Sequence, residues 1–172
     1  MISISRYSSP IGEMTLASKN AQLIGVWFNN QKYFLGNIKE EVIIDDNLKI
    51  FKETKNWLDR YFKGEKVSFK ELDICLLGSE FQIMVWEMLC DIPYGCVTTY
   101  KEIAKMVAEK RGCLSMSCQA VGGAVGHNPI SIIVPCHRVI GSDGKLTGYA
   151  GGIDKKKYLL DLESSRGKLC IE

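Results

Sequence analysis

The sequence predicts an α/β (α+β) protein: a small N-terminal domain built from a β-meander and a helix, followed by a mainly helical domain that carries a helix-turn-helix. Three observations predict this. β-branched and aromatic runs punctuated by turn residues fill the first thirty positions, apolar spacing changes to the helical period after Asp46, and capping motifs at Ser79 and Thr99 open helices in the second half. With 172 residues, 46% apolar and 24% charged, the chain can bury a core as one domain or as a small domain beside a larger one. Disorder and a repeat array are excluded on the same grounds.

The elements follow in order. Ile2, Ile4 and Arg6 alternate with Ser3, Ser5 and Tyr7, Pro10-Ile-Gly12 marks a turn, Met14, Leu16 and Ala17 follow, and Leu23 to Phe28 is a further strand ending at Asn29-Asn30. From Asp46, Leu48, Phe51, Leu58 and Tyr61 fall at helical intervals until Gly64 supplies a stop. Glu65 to Gly78 is mixed in character, which places a domain boundary near residue 77 and gives domains 1–77 and 78–172. Ser79-Glu-Phe-Gln82 is a capping box, with Phe81, Val85, Met88 and Leu89 on one helix face before Pro93-Tyr-Gly95 ends it. Thr99-Tyr-Lys-Glu102 opens a second helix with Ile103, Ala104 and Val107 inward, and Ser117 caps a third containing Ala120, Val121, Ala124 and Val125. Two helices joined by a short connection suggest a helix-turn-helix. Asn128-Pro129 then breaks the chain before Ile130-Ser-Ile-Ile-Val134, a β-branched run that predicts a buried strand.

Several function classes drop out. The uncharged stretch from Cys113 to Pro135 is interrupted by Ser, Gln, Gly, His, Asn and Pro, so it is no bilayer span of about 20 apolar residues. The opening MISISRYSSPIGEM has no apolar segment behind a basic one, so no signal peptide is read and the cytoplasm is the expected compartment. Seven cysteines, at 75, 90, 96, 113, 118, 136 and 170, form no C-x-x-C pair and read as reduced thiols. Histidine occurs only at 127 and 137, and the first 74 residues hold neither Cys nor His, so no structural zinc site is expected. The net charge of +2 implies no nucleic-acid partner, but from Ile92 to Lys157 nine Lys and Arg stand against four acids. That local excess suits either a solvated basic face or a polyanion.

Two features carry chemistry. Gly122-Gly123 falls mid-helix, where each Gly costs about 1 kcal/mol relative to Ala. Either a tight helix crossing requires it, or Ala120, Gly122, Gly123 and Gly126 form a flat face that enters a nucleic-acid groove. Pro135-Cys-His-Arg138 sets a thiol beside an imidazole and a guanidinium. An ordinary Cys, with a pKa of about 8.5, is only roughly 3% thiolate at neutral pH, so a nucleophilic Cys136 needs a proton acceptor or a cation nearby. On an extended strand Cys136 and His137 would point to opposite faces and meet through a turn or a bridging water. On spacing alone, an inert thiol at a strand end is the default reading.

The run from Asn128 to Val139, NPISIIVPCHRV, resembles the active-site signature of the O6-alkylguanine-DNA alkyltransferases, or methylated-DNA–protein-cysteine methyltransferases. The resemblance extends through Phe81-Gln82, Val85-Trp86, Ile92-Pro-Tyr-Gly95, Thr99-Tyr100, Ala120-Val-Gly-Gly123, Gly148-Tyr-Ala-Gly-Gly152 and Leu159-Leu160 to Glu163, and so covers the C-terminal domain. It implies a ribonuclease H-like N-terminal domain. Cys136 then matches the alkyl acceptor, His137 the base that deprotonates it through a water, and Glu163 the acid that orients the histidine. Tyr100 matches the tyrosine that presses on the target phosphate and hydrogen-bonds the flipped base, and Asn128 the hinge residue between recognition helix and active-site segment. Thr99, Gln119, Ala120, Gly122, Gly123 and Arg138 are implied at the DNA, and Val139, Tyr149 and Ala150 around the base pocket. Gln119 stands where many members carry an arginine finger. The implied reaction is one transfer per protein molecule, without metal or other cofactor, by a monomer acting on double-stranded DNA that contains O6-alkylguanine, with O4-alkylthymine a further candidate. The competing readings are a Cys-His-Glu thiol hydrolase, a non-repairing damage-binding protein of the same fold, and a DNA-binding regulator.

Overall fold

The computed structural model describes residues 1–36 and 38–164. They divide into two compact units, Met1–Leu77 with Pro129–Ile133, and Gly78–Asn128 with the chain from Val134. A single boundary near residue 77 does not anticipate the return of Pro129–Ile133 to the first unit.

The first unit is a four-stranded sheet and a helix. β1 (Ile2–Ser9), β2 (Gly12–Lys19) and β3 (Gln22–Phe28) form the antiparallel meander, and β4 (Val42–Ile44) pairs parallel with β1, giving the order β3-β2-β1-β4. β4 is missed by the sequence reading because it is three residues long and leaves Ile44 70% exposed. The β2–β3 turn uses Asn20 and Ala21, with φ of 51° and 64°, the two successive positive values that a two-residue hairpin matching strand twist demands. α1 (Lys49–Phe62) buries Phe51, Trp57, Leu58 and Tyr61, and Asp59 accepts the Tyr7 hydroxyl proton at 2.7 Å to tie the helix to β1. Gly25 is obligatory, because a Cβ there would lie 1.9 Å from the Trp27 ring. The free edge of β3 is covered twice in parallel: Leu23 bridges Ile74 and Val26 bridges Ile130.

The second unit is mainly helical. α2 (Glu80–Cys90) starts at the Ser79–Gln82 capping box with both reciprocal bonds made. β5 (Thr98–Thr99) leads directly into α3 (Tyr100–Arg111), where the Thr99 hydroxyl oxygen accepts from Glu102 N and left-handed Gly112 ends the helix. α4 (Cys118–Gly126) begins at Ser117, whose side chain accepts from Ala120 N. α2, α3 and α4 pack on one another, and the Trp86 indole donates to the Ala124 carbonyl at 2.8 Å. β6 (Val139–Ile140) pairs parallel with β5, and α5 (Ile153–Leu162) closes the unit. No helix among the described residues is long and apolar enough to cross a membrane.

The expected strand over Ile130–Val134 does not form. Apart from the Val26–Ile130 bridge the segment is a succession of turns, and Cys136–Arg138 is one turn of 3-10 helix rather than a strand end. Ile132 has φ of +72° and Ile133 N donates to Ser131 O at 2.9 Å, a left-handed γ-turn. At Pro135, φ −82° and ψ 65° with Cys136 N bonded to Val134 O at 2.8 Å make an inverse γ-turn. β-branched composition is the right signal for burial here and the wrong one for backbone path. The cysteines also need a correction: Cys75, Cys90, Cys113, Cys118 and Cys136 are free, but Cys96 is disulfide-bonded, so the reading of seven reduced thiols fails at that position. Cys170 lies outside the described residues.

Candidate active site

The site is assembled by short-range geometry around Cys136. The β5–β6 pairing, Thr98 to Val139 and Thr99 to Ile140, brings the start of α3 beside the 3-10 turn, so Tyr100 enters the same neighbourhood as Cys136. From α5, Lys156 and Glu163 lie seven residues apart, two helical turns, and therefore on one face, toward which the 3-10 turn packs. Both are buried, at 0% and 4% exposure.

Glu163 is the hub. One carboxylate oxygen accepts from His137 Nε2 at 2.6 Å, and the other from Arg138 Nε at 2.8 Å and from Arg138 Nη2. Burial alone would raise the carboxyl, but the charges and hydrogen bonds of His137 and Arg138 hold it below the usual carboxylate range. Its position as C-cap of α5 is unfavourable for an anion, and these partners offset that. Burial pushes His137 the other way, below its ordinary value despite Glu163, so the ring is neutral at rest. With Nε2–H directed at Glu163, Nδ1 carries the lone pair.

Arg138 is a correction. Expected at the DNA, its guanidinium is instead turned inward: 8% exposed, fork-bonded to Glu163, donating to the Ile92 carbonyl at 2.6 Å and lying 5.7 Å from the Tyr94 ring centroid. Nor is it the cation that faces the thiol. Lys156, which the sequence reading passed over, has that place. It donates to Thr147 O at 3.2 Å and Gly148 O at 3.1 Å and sits 5.8 Å from the Tyr100 centroid, and burial brings its pKa down from 10.5 to about 8 against the opposing pull of Cys136. A lysine sharing a helix face with Leu159, Leu160 and Glu163, where that face is otherwise apolar, is the signal that could have found it.

Burial raises the Cys136 thiol; the Asn128 side-chain hydrogen bond and Lys156 pull it back only in part, so the resting group is a neutral thiol. Asn128, 4% exposed, also donates Nδ2–H to Val134 O at 2.7 Å, the same carbonyl that Cys136 N uses. Tyr100 donates its hydroxyl to Thr147 O at 2.9 Å, and burial raises its pKa. Cys136, His137, Glu163, Tyr100 and Asn128 thus share one neighbourhood with Lys156 and Arg138. Tyr149 and Ala150 are half-buried in the loop before α5, while Val139 is fully buried in β6. Thr99 is half-buried as the cap of α3.

The remaining predicted residues lie on α4. Gln119, Ala120 and Gly123 are exposed and Gly122 is half-buried. A Cβ added at Gly123 would meet nothing within 4 Å and one at Gly122 only the Tyr100 ring at 3.9 Å. A tight helix crossing therefore does not explain the two glycines. No group of three or more His, Cys, Asp or Glu among the described residues is placed to hold a metal ion.

Both parts of the chain match known protein families. Residues 2–75 match the 6-O-methylguanine DNA methyltransferase ribonuclease-like domain and residues 80–165 the 6-O-methylguanine DNA methyltransferase DNA-binding domain. The chain is 45% identical over 159 residues to a methylated-DNA–protein-cysteine methyltransferase of Methanosarcina barkeri, covering 91% of this chain and 94% of the relative. It is 42% identical to that of Mycolicibacterium paratuberculosis, with 95% and 93% covered. Among solved structures, Mycobacterium tuberculosis OGT in complex with DNA superposes with a TM-score of 0.80 at 41% identity, covering 96% of this chain and 95% of that one. The O6-methylguanine-DNA methyltransferase of Pyrococcus kodakaraensis gives 0.64 at 25%, covering 95% and 99%. With both family domains matched in sequence order over nearly the whole described length, the chain belongs to the 6-O-methylguanine DNA methyltransferase family.

Proposed function

We propose that this protein repairs O6-alkylguanine in double-stranded DNA by moving the alkyl group to its own Cys136, once per molecule. The observation that carries the proposal is the buried His137–Glu163 pair, fixed in turn by Arg138 and set next in the chain to the buried thiol of Cys136. His137 Nδ1 takes the thiol proton through a bridging water, Glu163 stabilises the imidazolium that forms, and the sulfur attacks the alkyl carbon in line with the departing O6. The carbon–oxygen bond breaks as the carbon–sulfur bond forms. Tyr100 leaves the Thr147 carbonyl and donates to a ring nitrogen of the guanine, easing departure of the base.

The base must first leave the stack, at a cost of a few kcal/mol. α4 is the element suited to the groove: its glycines have no packing role inside the chain, and Gln119 sits at its exposed start to fill the hole left by the base. Tyr149 and Ala150 wall the pocket. The chemistry is complete with a thiol and a carbon electrophile, so it needs no metal or cofactor, and one protein copy supplies every group. It does need a reduced Cys136, and that thiol is free.

The test is the intact mass after incubation with duplex DNA containing O6-methylguanine. One methyl group on Cys136, absent in Cys136→Ser, is the expected result. Turnover on thioesters without an adduct would favour a thiol hydrolase, and duplex binding without an adduct would favour a damage-binding protein or regulator.

A further inference from the structure

The loop that delivers Cys136 is held at its tip by a residue one hundred positions upstream. Gln31, 7% exposed in the turn after β3, accepts from Phe28 N at 2.8 Å and from the Ser131 hydroxyl at 3.2 Å with the same side-chain oxygen, and donates to Lys32 O at 3.3 Å. Ser131 is doubly fixed, because its N–H also donates to Val26 O at 2.9 Å while Val26 N donates to Pro129 O at 2.8 Å. The next residue is Ile132, 1% exposed, at φ +72°. A β-branched residue there costs on the order of 1–3 kcal/mol and persists only where its surroundings over-determine it. The backbone bridge to Val26 would by itself cover the β3 edge. A second, side-chain anchor at the residue before the strained one has another use.

That use is read three residues on from Ser131. Val134 O is the acceptor for both Asn128 Nδ2 and Cys136 N, and the Asn128 side chain also bonds the thiol. The direction in which the chain leaves the Ile132 turn sets where that carbonyl points. Were Ser131 released, Ile132 would relax toward negative φ and the carbonyl would turn away from both donors.

We propose that Gln31 is a positioning residue for alkyl transfer: through Ser131 its buried carboxamide holds the left-handed turn at Ile132, and with it the Val134 carbonyl on which Asn128 and Cys136 are hung. The inference rests on Cys136 being the alkyl acceptor.

The experiment compares the full-length protein with Gln31→Met, Ser131→Ala, the double variant, and Thr15→Val. The last breaks the 2.7 Å Thr15–Asn29 bond in the same sheet without touching Ser131, and controls for mere destabilisation. Gln31→Met and Ser131→Ala are expected to lower the second-order rate of methyl transfer from an O6-methylguanine duplex about tenfold, the scale of a sub-ångström misplacement of a reacting group. Affinity for unmodified duplex stays the same. Cys136 labelling by iodoacetamide, read by peptide mass across pH, shifts its midpoint upward as the Asn128 bond is lost. The double variant loses no more than either single one, and Thr15→Val lowers Tm while keeping the wild-type rate and midpoint. If Gln31→Met does not fold, Ser131→Ala decides alone. Wild-type rate and midpoint in the Gln31 and Ser131 variants, or equal losses in Thr15→Val, overturn the proposal. A wild-type protein that takes no methyl group overturns the repair reading instead, and the iodoacetamide profile, which needs no DNA, still decides the positioning role.

Discussion

Lys156 gives a quantitative test of how the site is built. The side chain is buried against two carbonyls and an aromatic ring, and its descent from 10.5 to about 8 corresponds to roughly 3 kcal/mol of preference for the neutral amine in the folded state. Below about pH 8 the group is charged in both states and the cost of burying it is fully present. Between about 8 and 10.5 the unfolded chain holds a proton that the folded chain has released, so stability from this residue rises with pH by up to the same ~3 kcal/mol. Lys156→Met cannot titrate. Urea unfolding of the two proteins from pH 7 to 10.5, both as Cys136→Ser to remove the coupled thiol, should give a stability difference that is flat at first and then climbs in favour of Lys156. Tyr7, Cys90 and Tyr94, all raised by burial, titrate alike in both proteins and cancel. A pH-independent difference would refute the burial argument.

Glu163→Gln strips the charge from a carboxylate that holds a buried guanidinium, and stability should fall by about 3 kcal/mol at pH 7 in chemical denaturation. Because burial lowers His137 and its partners lower Glu163, the unfolded chain binds protons first as wild type is acidified from about pH 6.5 and again near 4.3; the second loss should be smaller in Glu163→Gln, which keeps the part due to the lowered carboxyls of Glu40 and Glu71. Gly123→Ala should gain about 1 kcal/mol of thermal stability from helix propensity yet weaken duplex binding severalfold in fluorescence anisotropy, and intact binding would remove α4 from the groove. Gln119→Ala should slow transfer at low protein concentration, and an unchanged second-order rate would show that Gln119 is not the residue that fills the hole.

Elements were legible where local preference and tertiary environment agree. The Ser79 and Ser117 caps and the meander follow from residue type and period, and each makes the bonds its motif requires. The thiol, imidazole and acid were legible through the signature around Cys136. Lys156 and the true role of Arg138 were not. Both are cations in segments that a charge count assigns to a basic outer face, and only the fold reveals that one turns to Glu163 and the other to backbone carbonyls.

The deepest disagreement, at Ile130–Val134, has the same origin. Val and Ile favour extended backbone and burial together, and in most strands the two preferences cannot be separated. Here they part: the side chains are buried at 0–3%, but Ile132 is left-handed and the path is two γ-turns. A strand would have sent Cys136 and His137 to opposite faces. The 3-10 turn reached through those γ-turns instead lets Asn128, His137 and Lys156 all bear on the site, with the Val134 carbonyl serving both the hinge asparagine and the nucleophile's own N–H. Local propensity is thus contradicted at the position that decides the chemistry, where strain is held by neighbours elsewhere in the chain.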